Sequence, residues 1–252
     1  MGNAVIALAG DIQLLHPNPA GLAFLSSNTL TSYHNRRFKA LSQTGVDYLS
    51  PRFGLSARNL SSGSIPIRDS SGAKIGEFTF ENLDLTMGLG KPLRNWGIGF
   101  TSRVFLLDSL SSMPGFSLSA GILHKEGSIR WGLVAENVAG SIISLTKERN
   151  SQLPELHLGV AFVGKKIKLD MDLMNLFPPG RPPYPVVQTG FETRWLEPFI
   201  LRAGINSRLQ SSLGMSLEFK NVRLDYAYRF HDYLSPSHLL SFTFHPASLT
   251  PR

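Results

Sequence analysis

The sequence contains no cysteine, which excludes disulfide bonds and thiolate metal sites. It also lacks an apolar run of about 18 residues, the minimum for a membrane-spanning helix. The seven histidines are scattered, without the paired spacing by which a helix holds zinc. Lysine and arginine give a net charge of +7 but form no dense cluster, so we expect no nucleic-acid partner.

Signals of enzymatic chemistry are equally sparse. The segment Gly115–Ser119 lacks the second glycine of a nucleophile elbow. Asp170 and Asp172 share one strand face, but they lie beside Lys166 and Lys168, where ion pairing is the expected role. We therefore expect a non-enzymatic protein with no catalytic residue, no metal and no cofactor.

What the sequence does contain is a two-residue rhythm of apolar and polar side chains. It is clearest between Asn221 and His231. One face there carries apolar and aromatic groups, at Val222, Leu224, Tyr226, Tyr228 and Phe230. The other face carries charge of both signs, as alternation across a β-strand produces.

The same rhythm recurs along the chain and predicts about fourteen strands, each near the length that crosses a bilayer when tilted. The predicted spans are 28–34, 42–49, 52–60, 75–89, 95–106, 115–124, 128–138, 155–163, 166–175, 186–195, 199–206, 210–219, 221–231 and 238–245. A phase change within 77–89 predicts a bulge near Glu81–Asn82.

The connections between these strands alternate in length. Short links such as Ser50–Pro51 and Gly164–Lys165 alternate with longer ones such as Ser61–Lys74, Leu107–Pro114 and Ala139–Pro154. Short turns at one end and long loops at the other are typical of an outer-membrane barrel. The all-β chain is thus predicted to form a closed antiparallel transmembrane β-barrel, with both termini periplasmic. A soluble β-sandwich is the alternative.

The domain organisation follows from these spans. Residues 1–27 are a short N-terminal plug segment in or under the lumen, 28–245 form the barrel, and 246–252 form a C-terminal tail. Because about eight strands already enclose a space that side chains just fill, a larger barrel needs a filling. Ile6, Leu8 and Leu22 are therefore expected to be buried inside the wall.

Several motifs add a family resemblance. Residues 1–11, followed by Asn18-Pro19-Ala20-Gly21, resemble the opening of the PorV/PorQ family of bacterial outer-membrane proteins, which is related to FadL-type transporters. Further similar segments follow in the family's order, at 65–69, 132–137, 201–204, 224–228 and 238–242. Family members carry an export signal ahead of this opening, whereas Met1 begins inside it.

The resemblance implies an outer-membrane location and two functions. The first is an accessory of protein secretion, as in the type IX system, or of envelope organisation. The alternative is FadL-like transport of a hydrophobic molecule. The implied partners are the lipid bilayer, secretion or envelope proteins, and a hydrophobic ligand. An apolar pocket with a side opening favours transport, whereas a filled polar lumen favours the accessory function.

Two sets of residues are candidates for the site. Asn18, Pro19, Ala20 and Gly21 predict a capped helical turn, which acts either as a brace that fills the lumen or as the gate that the FadL resemblance implies. The second set consists of charged residues predicted to face the lumen: Arg103, Arg130, Glu136, Asp170, Asp172, Glu192, Arg202 and Asp225. These form either a paired polar network or a selectivity lining, and their mixed signs favour the network.

Overall fold

The computed structural model of the chain describes residues 4–8, 15–108, 112–143, 149–151, 153–176, 185–231 and 233–246. The described residues form one 3₁₀ helix, Pro19–Phe24, and fifteen strands. The strands are β1 Thr29–Arg37, β2 Leu41–Ser50, β3 Phe53–Arg68, β4 Lys74–Leu93, β5 Trp96–Asp108, β6 Ser112–Glu126, β7 Ile129–Ile143, β8 Arg149–Ser151, β9 Glu155–Val163, β10 Ile167–Met174, β11 Val186–Leu196, β12 Phe199–Asn206, β13 Ser211–Phe219, β14 Val222–Arg229 and β15 Ser237–Phe244. No helix in these ranges has the length and apolar character needed to cross a membrane.

Fourteen of the strands form one closed antiparallel barrel. Each pairs with its neighbours in the chain, β1 pairs with β15, and β7 pairs with both β6 and β9. The three-residue β8 extends the sheet beside the end of β7. The predicted barrel is therefore confirmed, and the sandwich alternative is wrong because the strands form one closed ring.

The closure between first and last strands is continuous. Leu30 lies opposite Phe244 and Arg36 opposite His238. Between them the hydroxyl oxygens of Thr31 and Thr243 lie 3.1 Å apart and buried. A closed ring leaves no strand edge with unpaired backbone N–H and C=O groups. A sheet exposed to lipid requires this, because lipid offers these groups no hydrogen-bond partner.

The outer surface is apolar along the strands. Leu224, Tyr226 and Phe230 are 41%, 43% and 45% exposed, as the alternation predicted. Tyr228 is half-buried, because its ring packs edge-on against the ring of His238, with centroids 5.0 Å apart. Such a band is the surface that lipid covers in transmembrane barrels.

The two ends of the barrel differ in their connections. At one end, here called the short-turn end, links of two or three residues join the strands, at 51–52, 94–95, 127–128, 164–166, 197–198 and 220–221. The remaining connections lie at the opposite, loop end. The loop end holds every connection longer than three residues, but it also holds the three-residue link at 38–40, so the predicted segregation by length is only partly confirmed.

The strands at the loop end are longer than predicted. The β3–β4 hairpin has strands of 16 and 20 residues, so most of the predicted Ser61–Lys74 loop is strand and only 69–73 turns. The Asp69 carboxylate closes that turn by accepting the backbone N–H groups of Ser71 and Ala73, each at 2.9 Å. The predicted loops at 107–114 and 139–154 are shortened in the same way, by β5, β6 and β7.

The predicted bulge is misplaced by one strand. β4 keeps an unbroken register against β5 from Glu81 to Leu93. The irregularity lies in β3, between Ser61 and Ser64, where Gly63 has a φ of 67°. Glycine takes this left-handed conformation without steric cost, so the extra residue falls there. The predicted tail beyond residue 246 lies outside the described residues.

Candidate functional site

The N-terminal segment, meaning residues 4–8 and 15–24 of the described chain, lies inside the barrel. Asn18 caps the 3₁₀ helix, because its side-chain oxygen accepts the backbone N–H of Ala20 at 3.0 Å. Pro19 occupies the first helical turn, where its missing N–H costs nothing. The residues Pro19–Ala23 are all buried, so the four motif residues form one buried capped turn.

Asn18 also connects the two parts of the segment with the wall. Its amide nitrogen donates to the carbonyl of Ile6 at 2.8 Å and to the carbonyl of Ile122 in β6 at 3.2 Å. Since its oxygen caps the helix, all functions of this fully buried amide are used. The motif asparagine is therefore a three-way junction of helix, N-terminal residues and wall.

A second junction is made by Asp172 of β10. One of its carboxylate oxygens accepts the backbone N–H groups of Val5 and Ile6, at 2.6 Å and 3.0 Å. Asp172 is fully buried, and hydrogen bonds to a charged group are stronger than those between neutral groups. This inward carboxylate holds the start of the described chain.

The apolar residues of the segment fill the lumen. Ile6, Leu8 and Leu22 are 1%, 2% and 0% exposed, as expected from the sequence. At the short-turn end, the backbone N–H of Arg52 donates to the carbonyl of Leu22 at 3.0 Å, and the Lys125 ammonium lies 3.8 Å from the centre of the Phe24 ring. The helix is thus attached near the short-turn end.

The wall accommodates the segment with glycine. A Cβ placed on Gly97 would lie 2.7 Å from the carbonyl oxygen of Ala20, and one on Gly132 would lie 2.5 Å from the carbonyl oxygen of Ile6. Both distances are too short for real side chains. Six further inward glycines would meet the segment in the same way, at Gly54, Gly88, Gly90, Gly99, Gly121 and Gly159. We call these eight positions the glycine floor.

The remaining lumen is a cavity of about 520 Å³. The segment contributes Val5, Ile6, His16 and Pro17 to its lining, and the opposite wall is rich in arginine. His16 lies outside the wall strands, with Nε2 3.0 Å from the hydroxyl of Ser56. Burial, and then the charges of Arg58 and Arg103, hold the pKa of His16 well below its usual value, so it contributes no charge.

Several inward charges on β10–β14 form a network of ion pairs around Glu192. The carboxylate of Glu192 is fully buried and contacts Lys168 at 2.8 Å, Arg194 at 3.1 Å and Arg202 at 2.7 Å. Arg202 continues to Asp225 at 3.1 Å. A connected network of this kind satisfies buried charge, and it is the arrangement that mixed signs favoured in the sequence.

The other candidate charges are dispersed around the lumen. The Arg103 guanidinium lies 5.0 Å from the centre of the Phe105 ring, and Arg130 is half-buried in β7. Asp170 is buried, and its carboxylate oxygens have no hydrogen-bond partner among the described residues. Glu136 lines the cavity. The eight predicted charges therefore form no single lining.

Sequence reasoning missed one cluster. Glu136 and Glu155 lie directly opposite each other on β7 and β9, and Nε2 of His157 is 3.8 Å from a carboxylate oxygen of each. The spacing by which a helix holds zinc does not reveal these three residues. In a strand, two residues on one face are separated by a single residue, and Glu155 and His157 have that spacing.

Comparison with known proteins identifies a similar architecture. No protein-family model matches the sequence, and no curated protein matches it. Among solved structures, the Pseudomonas putida toluene transporter TodX superposes with a TM-score of 0.67 at 12% identity, over 96% of this chain and 95% of that chain. The monoaromatic hydrocarbon channel CymD gives a TM-score of 0.66 at 12% identity, over 95% and 94%. A FadL homologue of Pseudomonas aeruginosa gives 0.59 at 11% identity, over 95% of each chain. At this identity the likeness is one of fold.

Proposed function

We propose that this protein is a non-enzymatic outer-membrane channel of the FadL-like type, which admits a small molecule with an apolar body and a polar group. The observation that carries the proposal is the cavity of about 520 Å³ beside an internal N-terminal segment. This volume is within the range of small-molecule sites. The apolar outer band supports a location in a lipid bilayer.

The likeness to TodX and CymD supports the same proposal, because it extends over nearly the whole of both chains. Those proteins are a toluene transporter and a monoaromatic hydrocarbon channel. The cavity here differs in being lined by Arg37, Arg58 and Arg202 as well as by apolar groups. An amphipathic aromatic molecule fits this mixture better than a pure hydrocarbon.

For orientation, we propose that the short-turn end and both termini face the periplasm, as even-stranded barrels with short periplasmic turns do. The N-terminal segment then lies toward the periplasmic end of the lumen, and the cavity opens toward the loops. In this arrangement the Asn18-Pro19-Ala20-Gly21 turn is the gate through which a ligand leaves the cavity.

The test is uptake through an intact outer membrane. Cells of a Gram-negative host without its own FadL-type barrel would express the protein, and entry of radiolabelled toluene and benzoate would be measured. Gly214→Leu places a side chain in the cavity, since Gly214 lines it and has only ordinary contacts around its Cβ position. Met215→Leu, one residue away on the lipid face, is the matched control.

We expect expression to raise uptake, Gly214→Leu to abolish the increase, and Met215→Leu to leave it unchanged. Equal uptake by cells with and without the protein would overturn the channel proposal. Equal uptake by the two variants would show that the molecule does not pass through this cavity.

A second candidate is the accessory function in secretion or envelope organisation that the PorV/PorQ resemblance implies. It is favoured by the polar, ion-paired inner wall around Glu192 and Arg202. Its test is crosslinking in the native envelope. For this candidate alone, we expect a secretion protein to crosslink to the barrel in a fixed ratio. We also expect no uptake in the assay above.

A further inference from the structure

The cluster of Glu136, Glu155 and His157, here called the His157 cluster, has no role in the proposed channel. The two carboxylates lie in register on neighbouring strands and face the same lumen. Like charges directly opposite each other in a ladder are destabilising. Among the described residues, the basic side chain paired with either carboxylate is His157 itself, 3.8 Å away. Within the described chain, neither carboxylate is therefore balanced by a lysine or an arginine.

His157 provides an independent observation. The residue is 1% exposed, and its Nε2 has no hydrogen-bond partner within the described chain. This nitrogen points between the carboxylates, at 3.8 Å from an oxygen of each. A buried polar atom normally has a partner, so the unsatisfied nitrogen and the two unbalanced carboxylates indicate the same missing group.

We propose that the His157 cluster binds a divalent transition-metal ion, with Zn²⁺ as the ion to test, through His157 Nε2 and one oxygen from each of Glu136 and Glu155. Zinc binds nitrogen and carboxylate oxygen at about 2.0–2.2 Å in a tetrahedron, so its ligand atoms lie about 3.3 Å apart. The observed separations of 3.8 Å require a small contraction. Glu136 lines the cavity, which leaves the fourth position open to a water or a solute.

Binding has a defined proton requirement. Nδ1 of His157 accepts the backbone N–H of Asn175 at 3.2 Å, which places the proton of the neutral ring on Nε2. Zinc on Nε2 requires this proton to move to Nδ1, so Asn175 N–H must leave that acceptor. Asn175 follows β10 with a φ of 58°, at the start of a loop-end connection. Metal binding therefore alters the backbone hydrogen bonding where this loop begins.

The experiment is calorimetric titration of ZnCl₂ into the full chain, refolded in detergent and stripped with a chelator. The variants are Glu155→Gln and His157→Gln. The controls are Glu126→Gln, an exposed carboxylate near the short-turn end, and His16→Gln, a half-buried histidine of the lumen. We expect the unmodified protein and both controls to bind a single Zn²⁺ with the same affinity. Each cluster variant should lose at least about tenfold, since even outer-shell changes cost that much.

Two further readouts test the ligand set. X-ray absorption of the zinc complex should show one imidazole nitrogen and two protein oxygens, and the amide resonance of Asn175 should shift on binding. Because buried His157→Gln can impair folding, half-exposed Glu155→Gln provides the same test in a barrel checked by its heat-dependent gel mobility.

The proposal is overturned if the unmodified protein binds no Zn²⁺, or if both cluster variants bind it as well as the controls do. It is also overturned if Zn²⁺ binds with equal affinity to the unmodified protein and to a correctly folded His157→Gln, because the site would then be formed by carboxylates alone. None of these outcomes depends on whether the barrel is a channel.

Discussion

The two sides of the barrel have the same apolar outer surface, but they differ in what lies against their inner wall. On the filled side, β3–β7 and β9, the inner wall carries glycine, and the N-terminal segment packs against it. On the open side, β10–β15 with β1 and β2, the inner wall carries paired charges around a cavity. Lipid selects one outer face for all strands, whereas the lumen accepts either a bound segment or a polar network.

Strand length follows this division only in part. Strands β3–β7 have 13 to 20 residues, whereas β9 of the filled side has 9 and the open-side strands have 8 to 11. The longer strands extend beyond the others at the loop end. Glycine beside a bound segment and paired charge around a cavity are therefore two ways of completing the interior of one barrel.

The largest expected effect tests whether the segment is what closes the filled side. Deleting residues 2–23 should convert a poorly conducting barrel into one with large, steady conductance in a planar bilayer, because the glycine floor would then face open water. Deletion of residues 246–252 is the control and should leave conductance low. Large conductance of the intact protein, or no change on deletion of 2–23, would show that the segment does not occlude the lumen.

The next effect breaks the network of the open side. Glu192→Gln removes the carboxylate that Lys168, Arg194 and Arg202 share. Removing one partner of a buried ion pair costs about 3–5 kcal/mol of unfolding free energy, measured by urea unfolding from lipid vesicles. The matched change Glu218→Gln removes the charge of a side chain that is 39% exposed and contacts Arg194 at 2.9 Å. It should cost less than about 1 kcal/mol, and equal losses would contradict a distinct buried network.

A smaller effect is expected when leucine replaces a glycine of the filled side, compared with the same change on the open side. Gly97→Leu places a side chain against Ala20, and overpacking of this kind costs about 1–3 kcal/mol. The same change at Gly214, where the nearest atom to the new Cβ is 3.4 Å away, should cost much less. Limited proteolysis should then cut the N-terminal segment faster in Gly97→Leu than in Gly214→Leu. Identical digestion would mean that the glycine floor does not hold the segment.

The smallest effect concerns the contact between the two sides. Asp172→Asn keeps an oxygen that accepts the N–H groups of Val5 and Ile6 but removes its charge, so only part of the about 1.5–3 kcal/mol of a hydrogen bond to a charged group is lost. Faster hydrogen exchange of these two amides, with little change in global stability, is the expected result. Glu218→Gln is the control, because the Glu218 carboxylate contacts Arg194 and neither of these two amides. Exchange that is faster in the control than in Asp172→Asn would contradict the assignment.

Much of the wall was predictable because alternate residues of a strand face the lipid and the lumen, so apolar and polar residues alternate in the sequence. Each of the fourteen predicted spans overlaps one barrel strand, and the inward phase of Glu192, Arg202 and Asp225 follows from the outward phase of their neighbours. The errors occur where that signal stops. Residues 61–64 are serine and glycine, so the apolar alternation is interrupted inside β3 and only Ile65 and Ile67 resume it.

The strands, their outward faces and the capped turn at Asn18 follow from the order of the residues, because these features depend on neighbours within a few residues of the chain. Three features follow only from the folded barrel: which side is filled, the hydrogen bonds from Val5 and Ile6 to Asp172 across 167 and 166 residues, and the meeting of Glu136 with Glu155 and His157. These contacts depend on strand register and on ring closure. Strand register and ring closure produce no pattern in neighbouring residues, because they depend on how distant strands pair in the closed sheet.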